Sequence, residues 1–86
     1  MLHSTTKFLN GHSDVIAGAV IAADAEEAAR LKQWANVTGA TAAPFDSWLT
    51  LRGLRTLFVR MAAQERSAMA IAERLSAHPA VARVHY

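Results

Sequence analysis

The chain has 86 residues, 52% of them hydrophobic, with nine Lys/Arg against seven Asp/Glu and no cysteine. That length admits at most one small domain, and a folded chain so short removes only about 60% of its surface from water, so part of this apolar material is expected to pack against further protein. The absence of cysteine excludes disulfides and thiolate chemistry and fits the cytoplasm, the scattered basic residues form no nucleic-acid module, and no apolar run approaches the roughly 18 residues of a membrane span.

Residues 1–14 are polar, with Asn10 and Gly11 as turn formers. The opening MLHSTTK lacks the charged-then-apolar pattern of a signal peptide. From Val15 to Ala22 runs VIAGAVIA, an unbroken apolar stretch that predicts a strand buried on both faces, as in α/β proteins. Gly18 within it predicts a close neighbour. Asp24, followed three residues later by Glu27, has the spacing of a capping box and predicts a helix through Trp34 that ends near Gly39. After the linker GATAAP, a second helix is expected to begin at Pro44–Ser47, with proline in its first turn and Asp46 or Ser47 satisfying free N–H groups. Leu54, Met61, Ala68 and Leu75 recur at seven-residue steps, which predicts one apolar stripe on a single long helix, about thirty residues, that needs partners on its flanks. His78-Pro79 ends it, and AVARVHY predicts the opening of another strand.

The densest polar cluster is Ser4-Thr5-Thr6-Lys7, followed by Asn10-Gly11-His12-Ser13-Asp14 and then the apolar stretch. An amine condenses with an aldehyde in its unprotonated form, which desolvation or nearby positive charge favours. Hydroxyls two to three residues away suit a phosphate dianion. Lysine, Ser/Thr hydroxyls and a buried strand are what pyridoxal phosphate (PLP) requires from one segment. A solvated Ser/Thr turn that happens to hold a lysine is the alternative on chemistry alone. His12-Ser13-Asp14 has the residue types of a hydrolase triad, but three consecutive residues cannot orient one another. His3, His12, His78 and His85 have no metal-ligand spacing. Arg52, Arg55, Arg60 and Arg66 read mostly as a solvated helix face, with Arg52 and Arg55 candidates for facing other protein. Trp34 and Trp48 read as core.

STTKFLNGHSDVIAGAVIA resembles the cofactor-lysine segment of the Cys/Met-metabolism family of PLP enzymes. PFDSWLTLRGLRTLFVRM resembles that family's Ser–Arg-Gly-Leu-x-Thr-Leu-x-x-Arg helix, here Ser47 through Arg60, and HPAVARVHY resembles its link into the C-terminal domain. The resemblance covers essentially the whole chain. It implies an α/β fold: a piece of the large PLP domain of an aspartate-aminotransferase-like (fold type I) enzyme, with loop, buried strand, helix, long helix and the start of a strand. Residues 1–43 would belong to the PLP domain and 44–86 to the long connecting helix and the beginning of the C-terminal domain. Lys7 matches the lysine that binds PLP covalently, and Ser4 and Thr6 match the residues that hydrogen-bond its phosphate. Phe8 stands where the family more often has Tyr.

Trp34-Ala35-Asn36, Phe45 through Leu49 and Leu51 through Leu57 resemble cystathionine γ-synthases most, with γ-lyases and homoserine-ester sulfhydrylases close behind and a β-lyase less similar at the second helix. The resemblance implies γ-replacement on small amino-acid substrates in a homotetramer or dimer, with neither nucleic acid nor membrane as partner. The acidic partner of the pyridine nitrogen, the stacking ring and the carboxylate-binding arginine would lie outside these residues. The chain is therefore expected to be a fragment around the cofactor lysine. A non-catalytic remnant without activity of its own is the rival expectation.

Overall fold

The computed structural model describes residues 1–86. Strand β1 (Leu2–Ser4) pairs antiparallel with β2 (Gly18–Val20), setting Leu2 opposite Val20 and Ser4 opposite Gly18. Gly18 gives the predicted close approach, since a Cβ there would stand 3.4 Å from the His3 carbonyl oxygen. Between the strands, Thr5–Leu9 form a single wide π-turn, closed by the Asn10 N–H donating to the Thr5 carbonyl at 3.2 Å.

Helix α1 (Ala25–Thr38) starts as the capping spacing predicts. The Asp24 carboxylate accepts from the Glu27 N–H at 2.8 Å, and the Glu27 carboxylate reaches back to the Ala23 N–H at 2.9 Å. Gly39 ends it in the left-handed conformation, φ 73°.

The single long helix is two helices, α2 (Pro44–Leu54) and α3 (Leu57–Ser76). At the break the Thr56 N–H donates back only three residues, to the Gly53 carbonyl at 3.2 Å, and the Thr56 hydroxyl turns to the same carbonyl. A β-branched residue with a competing hydroxyl, three places after a glycine, favours such a tightened turn. Pro44 occupies the first turn of α2, but neither Asp46 nor Ser47 caps it; the Ser47 hydroxyl donates to the Ala43 carbonyl instead.

Two expected strands are corrected. Only Gly18–Val20 of the Val15–Ala22 stretch is extended in a ladder, and residues 81–86 form no strand. A strand needs a neighbour to bond to, and β2 has one partner on one edge, while 81–86 have none. β2 is likewise not buried on both faces, and Ile16 beside it is 92% exposed. Neither tryptophan is core, as both are exposed.

The Cα radius of gyration is 18.0 Å, against about 12 Å for a compact domain of this length. Four of the 86 residues are buried. These are Thr5, Asn10, Val15 and Gly53, so the close packing lies where α2 meets the π-turn.

Candidate functional site

Lys7 is the middle residue of the π-turn and interrupts it, with φ −97° and ψ −120°. Wide turns of this kind recur at functional sites. Its side chain is exposed and lines a cleft of about 550 Å³ with Thr6, Phe8, Ser13, Ile16 and, from α3, Gln64.

The hydroxyls around it are in three states. Ser4 precedes the turn, is exposed, and makes no capping hydrogen bond. Thr5 is buried and its Oγ1 has no partner within the chain. Thr6 Oγ1 accepts from the Ala17 N–H at 3.0 Å and donates to the Ala17 carbonyl at 3.2 Å, pinning the turn to the segment before β2.

After the turn, Asn10 is the most buried side chain, and its amide donates to Asp14 at 2.5 Å. His12 Nδ1 lies 2.7 Å from the Asn10 carbonyl oxygen, and Ser13 has φ 59°. His12, Ser13 and Asp14 thus each serve the turn separately and form no triad.

Sequence reasoning missed the second wall of the site. Gly53 packs on Asn10: a Cβ at 53 would stand 2.8 Å from the Asn10 carbonyl carbon. Arg60, expected on a solvated face, folds back over the helix break. It donates from Nη1 to the Phe8 carbonyl at 2.8 Å, from Nη2 to the Gly53 carbonyl at 2.9 Å, and from Nε to Thr56 Oγ1 at 3.0 Å. The spacing 53, 56, 60 would put these residues on one face of a continuous helix, but nothing in it distinguishes Arg60 from a solvated arginine.

These groups fit PLP in kind. An exposed amine opens on a cleft, and the Ser4 hydroxyl is uncommitted. Thr6 can keep its bond from the Ala17 N–H while its O–H swings from the Ala17 carbonyl to a phosphate oxygen.

The family model for Cys/Met metabolism PLP-dependent enzymes matches residues 1–86. The chain is 50% identical over 86 residues to a probable cystathionine γ-synthase of Herpetosiphon aurantiacus and 51% identical to the cystathionine γ-synthase of Escherichia coli, covering all of this chain in both cases and 27% and 22% of those relatives. A cystathionine β-lyase of Coxiella burnetii is 51% identical over 85 residues, covering 98% of this chain and 22% of that relative. Overall identity therefore does not set the β-lyase apart from the γ-synthases. The crystal structure of cystathionine γ-synthase from Xanthomonas oryzae pv. oryzae, in complex with aminoacrylate and cysteine, superposes with a TM-score of 0.88 at 58% identity, covering 91% of this chain and 20% of that one. The fold is thus that of a piece of a fold type I PLP enzyme, and the chain belongs to the Cys/Met metabolism PLP-dependent enzyme family.

Proposed function

We propose that this segment supplies the cofactor lysine of a transsulfuration enzyme that acts by γ-replacement. The thiol of cysteine gives up its proton and displaces the acyloxy group of an O-acylhomoserine; a C–S bond forms, the C–O bond breaks, the carboxylate leaves with the proton released, and cystathionine results. The observation that carries this reading is the exposed Lys7 on its interrupted turn, in a chain about half identical to cystathionine γ-synthases.

PLP supplies the electron sink for carbanion chemistry. Lys7 would hold it covalently through Nζ and, as a free amine, would move protons as a base. Ser4 and Thr6 donate to the phosphate. Their hydroxyls are short neutral donors, suited to a dianion and unsuited to proton abstraction. Residues 1–43 belong to the PLP domain and 44–86 lead into the C-terminal domain of a homotetramer or dimer in the cytoplasm. No helix here is long and apolar enough to cross a membrane. A γ- or β-elimination activity is the second reading, favoured by the L-methionine γ-lyase of Brevibacterium aurantiacum and the Coxiella β-lyase, each 51% identical.

The test uses the full-length enzyme containing this segment. Borohydride reduction followed by peptide mass mapping is expected to fix the pyridoxyl group on Lys7. A label on Lys32, the other lysine of the chain, would sink the assignment. Product analysis with O-acylhomoserine, with and without cysteine, separates replacement from elimination.

The phosphate role predicts its own variant. Thr6→Val removes a donor to a charged group and is expected to weaken PLP retention about tenfold, with a smaller change in turnover at saturating PLP. Thr6→Ser should restore most of the loss. Unchanged PLP affinity in Thr6→Val would count against it.

A further inference from the structure

The carbonyl end of the Lys7 turn is held by a side chain some fifty residues away. Besides its bond to Phe8, the Arg60 guanidinium places Nη2 3.4 Å from the carbonyls of both Leu9 and Asn10. Its other bonds go to Gly53 and Thr56, at the end of α2. The last carbonyls of a helical turn lack backbone partners and carry partial negative charge. A guanidinium offers five N–H donors in a rigid planar fork, so one side chain can serve two such termini at once, which a lysine cannot. Gly11, with φ 77°, is shaped to the same contact: a Cβ there would stand 2.5 Å from Arg60 Cζ.

We infer that Arg60 is a positioning residue for Lys7. By fixing the carbonyls of Phe8, Leu9 and Asn10 against the end of α2, it fixes the backbone that follows the lysine and so the direction in which Nζ is presented. This rests on the reading of Lys7 as the cofactor lysine.

Arg60→Met, Arg60→Lys and Thr56→Val in the full-length enzyme test it. The readouts are amide exchange of residues 5–11 in the apo-enzyme, visible circular dichroism of bound PLP, and the rate of PLP dissociation. Arg60→Met is expected to raise exchange and dissociation about tenfold, as for loss of charge-assisted hydrogen bonds, and to diminish the visible dichroic band. Arg60→Lys should recover part of each. Thr56→Val, which removes the Nε partner together with the hydroxyl's own bond to the Gly53 carbonyl but leaves the guanidinium's contacts to residues 8–10, should change each about two- to threefold. A folded Arg60→Met enzyme with wild-type exchange, dichroism and dissociation overturns the inference. If neither Arg60 variant accumulates folded, wild-type behaviour of Thr56→Val in all three readouts overturns it instead. A wild-type pyridoxyl label on Lys32 overturns the underlying reading and the positioning role with it. A label on Lys7 with unaltered variants overturns the positioning role alone.

Discussion

The 86-residue chain alone, titrated with PLP, is expected to give no saturable absorbance band below about millimolar concentration, some thousandfold weaker than a micromolar site. It is also expected to turn over no O-acylhomoserine. The ground is burial. Val15 is the one buried apolar residue, while Ile16 is 92% and Phe58 86% exposed. A lysine that meets an aldehyde in water binds it weakly and reversibly. Tight binding requires phosphate donors, a partner for the ring nitrogen and a stacking surface held together, and this chain offers an amine and two hydroxyls beside an exposed cleft. Catalysis further requires that the reacting bond be held in position, an effect that needs rigid walls. The exposed apolar faces should also drive self-association. Ultraviolet-visible titration with PLP and an assay for keto acid or cystathionine check both halves. Saturation at low-micromolar PLP with measurable turnover would show that the chain is a self-sufficient enzyme.

Gly53→Ala in the full-length enzyme is expected to lower stability by about 2–3 kcal/mol, the upper part of the range for overpacking. Helix propensity alone argues the other way, since alanine in place of glycine within α2 gains about 1 kcal/mol. The contact decides the sign. A Cβ at 53 would meet the Asn10 carbonyl oxygen and lie 2.8 and 2.9 Å from its C and Cα. Those are backbone atoms, so no rotamer change relieves the collision. Asn10 is 1% exposed and bonded through its N–H to Thr5 and through its amide to Asp14, so displacing it moves the Lys7 turn. PLP retention should therefore fall together with the melting temperature. An unchanged or raised melting temperature would mean that the turn yields freely, contrary to its packing.

Local rules read well here where the determinants are local. Asp24, Glu27 and Gly39 mark the ends of α1 because capping needs only residues within one turn of the terminus. The break between α2 and α3 was hidden. Arg55 keeps helical dihedrals, and Thr56, at φ −107° and ψ 6°, departs modestly from them. The rotation of the chain is thus nearly preserved, and the seven-residue spacing of Leu54, Met61, Ala68 and Leu75 carries no mark of the break. The apolar stretch 15–22 and the residues 81–86 show the opposite failure. Their composition is that of strands, but a ladder also needs a partner edge, which no single segment encodes. At the site, Lys7, Ser4 and Thr6 could be named from a contiguous motif. Arg60 could not, because a charged residue on an amphipathic helix is read as solvated unless its partners are known, and those partners are carbonyls far away in the chain.

That distance has a consequence in time. Arg60 and the Phe8 carbonyl are separated by 52 residues. At synthesis rates of about 5–20 residues per second, roughly 3–10 s pass between the ribosome's addition of the two. Once Val20 has been added, the turn bearing the lysine can have its N-terminal anchors, β2 and Ala17, while its carbonyl end stays open until Arg60 follows. Nascent chains therefore display the lysine before they can aim it.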